Sequence, residues 1–173
     1  MRSLRRHFAL LTLALLAAAT RLTAQSAAPA AAPAATSLAG TWTLSAADDL
    51  RPDGTRVPAF GPDPQGLLIL GADGRYSLQI YRSDRAKFAS PDKRRGTAEE
   101  FKAAVLAMST HYGRYVVDAA AGIITFQIDR AAFPNWDATE QKRPFTLVGD
   151  ELSYRVSATP DGTVPISVWR RVR

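Results

Sequence analysis

The sequence contains no cysteine and only two histidines, His7 and His111. Without thiols the chain forms no disulfide and has no cysteine for a lipid anchor, and zinc sites built on thiolates are excluded. One histidine outside the N-terminal segment, together with scattered aspartates, makes no recognisable metal site. We therefore expect neither a bound metal nor a cofactor.

The chain also lacks an apolar run long enough to span a membrane. Its longest run, Phe8–Ala19, has fewer than the ~20 apolar residues that a span requires. Arginines precede this run, and Leu22-Thr23-Ala24 forms an acceptable cleavage site. We predict a signal peptide over residues 1–24, and hence an exported protein, periplasmic or secreted, with no stable membrane span after cleavage. The general secretory route is favoured over a twin-arginine route, and an uncleaved anchor is the alternative.

A strong excess of positive charge is absent outside this segment. The net charge is +6, but four of the 22 basic residues lie in the predicted signal, leaving 18 against 16 acidic residues. The basic run Lys93–Arg95 follows a proline and is interpreted as a solvated loop. Charge thus offers no support for nucleic-acid binding.

The remaining chain is predicted to contain one linker and one domain. Residues 25–36 are rich in alanine and proline, show no periodicity and indicate a linker. Residues 37–173 are enough for a single domain with a hydrophobic core.

Alternation of apolar and polar residues predicts most of this domain to be strands. Thr41–Ser45 reads as a half-buried strand, whereas Gly66–Leu70 is apolar on both faces and predicts a fully covered one. Asp73-Gly74 is a hairpin signal that leads into Arg75–Arg82. The loop over residues 52–64 has room for one short strand, and five further strands are predicted at 114–118, 123–129, 143–148, 152–156 and 165–172.

One amphipathic helix interrupts the strands. Thr97 and Glu100 form a capping box, and an apolar stripe at helical spacing follows; its members are Phe101, Ala104, Val105 and Met108. About eight or nine short antiparallel strands joined by tight turns favour an all-β fold, an up-and-down antiparallel β-barrel, because closure removes exposed sheet edges. A sandwich is the alternative.

Several short motifs recur in an order that resembles a known family. They are Gly40-Thr41-Trp42, Gly74–Ser77, Gly113–Tyr115, Phe133–Trp136, Gln141–Arg143, Gly149–Leu152 and Trp169–Arg171. Together they resemble the lipocalin-like domain family of bacterial and fungal proteins over residues 38–172. The resemblance implies a calycin-type barrel with an internal pocket, in which a basic side chain of the last strand covers the Trp42 indole.

The family has no uniform activity to carry over, and the chain departs from its pattern in two places. Related sequences often have a histidine in the strand that matches Ile123–Ile128, where this chain has Phe126 and Gln127. They also tend to have a glycine shortly after the loop tryptophan, where this chain has Asp137–Thr139. A function that needs the strand histidine is therefore not expected here.

His111 is the candidate catalytic residue if the protein is an enzyme. It could act as a general acid or base at the barrel mouth. The simpler interpretation places it just after the helix, where its charge suits the helix dipole. No nucleophile or carboxylate pair has a spacing that would help it.

Five residues are candidate ligand contacts: Gln79, Tyr115, Gln127, Trp136 and Arg143. The two glutamines lie in mid-strand, and sequence parity leaves open whether they face the lumen or the solvent. Trp136 is either a lid or a structural plug. Arg143 could bind a ligand carboxylate through a bidentate fork or form an ion pair with Asp129 or Asp137. Tyr76 and Tyr154 are interpreted as packing residues.

Three functions fit these features. The first is an exported lipocalin-like protein that binds a small, mainly apolar ligand in its barrel. The second is a cofactor-free isomerase or cyclase that acts on a small substrate there. The third is an envelope accessory protein whose barrel is filled by side chains.

Overall fold

The structure, a computed structural model, describes residues 37–173. The predicted signal peptide and linker lie outside the described residues. Nine strands and one α-helix follow each other along the chain: β1 Gly40–Leu50, β2 Arg56–Pro58, β3 Gln65–Leu70, β4 Arg75–Tyr81, α1 Ala98–Leu106, β5 Met108–Asp118, β6 Ile123–Ala131, β7 Glu140–Val148, β8 Glu151–Arg155 and β9 Val164–Arg171. None of the helices between residues 37 and 173 is long and apolar enough to cross a membrane.

The strands form a closed antiparallel barrel, as the sequence predicts. Neighbours follow chain order from β3 to β9, and β1 pairs with both β3 and β9. Eight strands therefore close the barrel, and the ninth, β2, is an extra strand that pairs with the end of β1. Tight turns join β3 to β4, β5 to β6 and β7 to β8, whereas longer connections join β4 to β5, β6 to β7 and β8 to β9.

The inward face of each strand is the apolar half of its alternating pattern. Tyr76, Leu78 and Ile80 of β4 are buried, whereas Gln79 between them is exposed. The prediction that Gly66–Leu70 is covered on both faces is wrong, since Ile69 is 43% exposed. A barrel wall has one solvent-facing side, and within residues 37–173 Ile69 lies on that side.

Helix α1 ends earlier than its apolar pattern predicts. Its capping box between Thr97 and Glu100 is present, but the helix stops at Leu106. Met108, assigned by periodicity to the helix, already belongs to β5. None of the helix residues is buried, and Phe101 packs edge-to-face on Phe88 of the preceding loop, with ring centroids 5.3 Å apart.

One end of the barrel is closed by the pairing that the resemblance implies. Trp42 is fully buried, and the Arg171 guanidinium lies 4.1 Å from the centroid of its indole ring. Arg171 also donates from Nη1 to the Ala39 carbonyl and from Nη2 to the Ser37 carbonyl, at 2.7 and 2.9 Å. A desolvated cation–π contact of this kind contributes up to ~2 kcal/mol. These contacts tie the start of the domain to the last strand.

Candidate functional site

The other end of the barrel encloses a cavity of about 590 Å³. Its walls are formed by the C-terminal parts of β1 and β4 and by the N-terminal parts of β5, β7 and β9. The segment after β8 completes them. Apolar side chains supply much of the lining: Ala47, Phe60, Leu78, Ile80, Met108, Val156 and Ile166. Trp42, Phe126, Tyr154 and Trp169 are fully buried and do not line this cavity.

Arg143 brings a positive charge into this cavity. It is only 4% exposed, because the residues of β7 alternate and its side chain points inward beside Gln141. Its guanidinium carbon lies 4.7 Å from the centroid of the Phe126 ring and 5.0 Å from that of Tyr154. Its Nη2 donates to Gln141 Oε1 at 2.6 Å and to His111 Nε2 at 3.3 Å. Two aromatic rings and two acceptors therefore fix the guanidinium.

His111 is buried in β5 and hydrogen-bonded at both ring nitrogens. The interpretation that it follows the helix and benefits from its dipole is wrong, because the strand begins three residues before it. Arginine only donates, so Nε2 accepts from Arg143 and the hydrogen must lie on Nδ1. Nδ1 then donates to the Tyr76 hydroxyl oxygen at 2.7 Å. Because the Tyr76 hydroxyl oxygen accepts this hydrogen bond, its own proton is not used in the bond to His111.

Burial decides the charge state of both partners. Burial, and secondarily the charge of Arg143, lowers the pKa of His111 from 6.5 to about 3. Burial also raises the pKa of Tyr76, an effect that Arg143 partly opposes. Both side chains are therefore neutral at neutral pH, and Arg143 is the cation of the cluster.

Three buried polar atoms make no hydrogen bond within residues 37–173: Arg143 Nε, the Tyr154 hydroxyl and Trp169 Nε1. A buried polar group without a partner costs free energy, so such groups are uncommon in folded proteins. Arg143 also forms no ion pair with the carboxylates of that part of the chain. Asp137, one of its candidate partners, pairs with Arg130 at 3.8 Å instead.

Two aromatic side chains stand at the rim of the cavity. Trp136 is the last residue of a 3-10 turn after β6 and packs edge-to-face on His111, with ring centroids 6.2 Å apart. Phe60 is brought to the opposite wall by β2, and the Ala59 amide donates to the Ala47 carbonyl at 2.9 Å. The extra strand thus carries an apolar side chain to the mouth.

The structure brings together only part of the predicted ligand-binding set. Trp136 and Arg143 line the cavity beside His111. Gln79 and Gln127 lie on the outer face and are exposed. Tyr115 points inward but lies outside the cavity lining, and its hydroxyl donates to the Gly71 carbonyl at 2.8 Å, which ties β5 to the turn after β3.

Sequence reasoning missed three residues of the cluster. Gln141 lies two residues before Arg143, so the strand period alone places both on one face and could have found it. Tyr76 and Tyr154 were interpreted as packing residues, and their apolar neighbours gave no sign of a polar partner. Their roles depend on contacts with β5 and β7 that are distant in the sequence.

A second depression, of about 840 Å³, lies outside the barrel between α1 and the loop after β4. Its lining mixes apolar side chains of α1 with charged ones, among them Asp84, Lys87 and Glu99, which are exposed. It has no buried polar cluster, so the lumen is the better candidate site. Among residues 37–173 no group of three or more histidine, aspartate or glutamate side chains could hold a metal ion.

Comparison with known proteins supports the fold. The family model described as a lipocalin-like domain matches residues 39–172, which is most of the chain. Comparisons with curated proteins and with solved structures give no significant match. Proteins with this barrel are suited in general to binding small molecules. The match and the closed barrel together confirm the resemblance seen in the sequence, and the chain belongs to the lipocalin-like domain family.

Proposed function

We propose that this protein binds a small, mainly apolar molecule inside its barrel. The observation that carries the proposal is the cavity of about 590 Å³ in the open half of the lumen. Ligand sites are typically concave, about 300–1,000 Å³ in volume, and mostly apolar with a few polar groups that fix orientation. Here Leu78, Ile80 and Ile166 supply apolar wall, and Arg143 and Gln141 supply polar groups.

Two observations favour binding over the alternatives. A barrel filled by side chains would leave little room in the lumen, and this one has space for a ligand. An isomerase or cyclase could use the hydrogen-bonded cluster of Tyr76, His111 and Arg143, but a histidine with a pKa of about 3 is a weak base at neutral pH. Binding needs only the cavity and its polar groups.

A variant that fills the cavity tests the proposal. Ala47→Leu adds three carbon atoms to a buried wall position, and we expect the dissociation constant for 1-decanol to rise at least about tenfold. Ala46→Leu is the matched control, because the neighbouring residue does not line the cavity. Tryptophan fluorescence measures the titrations, and native mass spectrometry of the purified protein reports any ligand that co-purifies. Equal affinity in both variants and the parent would contradict binding in the lumen.

We also propose that the protein is exported to the periplasm or secreted. The support is the N-terminal sequence, with its arginines, its short apolar run and Leu22-Thr23-Ala24. N-terminal sequencing of the exported chain is expected to begin at Gln25. A chain that stays in the cytoplasm with an intact N-terminus would refute this proposal.

A further inference from the structure

Arg143 is a buried cation without a counter-charge among residues 37–173. Its side chain is 4% exposed, and no carboxylate in residues 37–173 forms an ion pair with it. Burying a charge without a partner is costly, and proteins normally pair or expose such groups. Asp49 is a carboxylate in the cavity lining, but it is not the counter-charge of Arg143. Burial and the nearby Asp161 raise the pKa of Asp49, and the cation that acts on it is Arg51.

The guanidinium still has donors to offer. It carries five N–H groups, and only Nη2 is engaged, by Gln141 and His111. Nε makes no hydrogen bond in the described part of the chain, and Nη1 takes part in none there either. The Phe126 and Tyr154 rings hold the guanidinium plane, so its free N–H groups are fixed before a ligand arrives. Nε is enclosed by protein, so Nη1 is the donor that remains for a ligand, and its charged N–H groups suit a carboxylate oxygen.

We propose that the ligand is an amphipathic monocarboxylic acid whose carboxylate accepts hydrogen bonds from Nη1 of Arg143 while its apolar body fills the cavity. This inference rests on the proposed function and specifies the chemistry of the ligand. One positive charge balances one carboxylate, and His111 and Tyr76 are neutral neighbours that position the arginine. The charge match favours a single carboxylate over a dianionic head group.

The cavity limits the size and orientation of this acid. At ~30 Å³ for each non-hydrogen atom, about the share of a water molecule in the liquid, it holds at most about 20 such atoms. Asp48 and Asp49 stand at the end of β1 in the lining, on a strand that does not pair with β7. Asp48 pairs with Arg56 at 3.6 Å, so Arg143 is the buried cation that receives the carboxylate, and the apolar body lies along Leu78, Ile80 and Ile166.

Isothermal titration calorimetry of the full-length chain tests the inference with three probes of equal length: decanoate, 1-decanol and decylammonium. We expect decanoate to bind more tightly than 1-decanol, and decylammonium to bind most weakly. Arg143→Gln is expected to weaken decanoate binding about ten- to hundredfold and thereby to abolish the preference for decanoate over 1-decanol. Arg143→Lys keeps the charge but loses the planar guanidinium, so its affinity for decanoate should lie between that of the unaltered protein and that of Arg143→Gln.

Arg155→Gln is the matched control, since it removes the same charge from an exposed position on β8 and should change neither affinity. If decanoate binds no more tightly than 1-decanol, or Arg143→Gln leaves decanoate binding unchanged, the acid inference falls while binding in the lumen stands. If none of the three probes binds, both proposals fall. The ranking of the probes on the unaltered protein decides the inference even if Arg143→Gln does not fold.

Discussion

Between pH 7 and pH 4 the protein is expected to lose about 3 kcal/mol more unfolding free energy than its His111→Gln variant. The folded state holds the pKa of His111 at about 3, chiefly through burial, against 6.5 for the free side chain. Between these values the unfolded chain binds a proton that the folded chain rejects. The stabilising contribution is therefore fully present above pH 6.5 and is lost as the pH falls toward 3.

Glutamine is the right replacement because its amide still offers Arg143 an acceptor but does not titrate in this range. Urea unfolding of both proteins at several pH values measures the difference. The carboxylates titrate in both proteins, so their contributions cancel. Parallel stability curves, within about 0.5 kcal/mol over this range, would show that His111 is not buried in the neutral form.

Gly113→Ala is expected to lower the unfolding free energy by at least about 3 kcal/mol. The register between β5 and β6 shifts between Tyr112 and Gly113, and the β6 backbone passes directly over the glycine. An added methyl group would overlap the Gln127 carbonyl oxygen and lie 2.8 Å from the Asp129 nitrogen. These are backbone atoms, so the two strands would have to move apart.

Gly149→Ala is the comparison variant, because its φ of +58° is left-handed but the added methyl group meets nothing within 4 Å. It should cost only about 1–2 kcal/mol, the penalty for that backbone conformation in a residue with a Cβ. Chemical denaturation gives both values. If Gly113→Ala lowers the unfolding free energy no more than Gly149→Ala does, the β6 backbone does not lie as close to Gly113 as described.

Much of the wall of the barrel was predictable because it depends on local patterns. Asp73-Gly74 predicts the turn between β3 and β4, and the capping box at Thr97 predicts the start of α1. The start of β5 was not predictable, because Met108 continues the apolar spacing of the helix. The sequence favours a helix there, but pairing with β4 from Tyr81 to Arg75 makes the segment a strand.

The candidate site was predictable only in part. Arg143 and Trp136 were named from their residue types, and both line the cavity. Gln79 and Gln127 were named as mid-strand amides, yet they lie on the solvent face, because a strand presents two faces and the parity of one strand alone does not say which is inside. Tyr76 became part of the cluster only through a contact with β5.

By itself the sequence favoured a small antiparallel barrel over a sandwich: alternation predicts the strands, glycine turns predict their antiparallel order, and the resemblance implies a basic side chain of the last strand over Trp42, which the structure identifies as Arg171. Only the tertiary structure decided where the cavity lies and what charge it contains. When β1 pairs with β9 the sheet becomes a closed barrel, and one face of every strand then lies inside. The side chains of His111 and Arg143 both lie on this inner face and are in contact, although they are 32 residues apart in the sequence. The unpaired guanidinium, on which the ligand proposal depends, is a consequence of that closure.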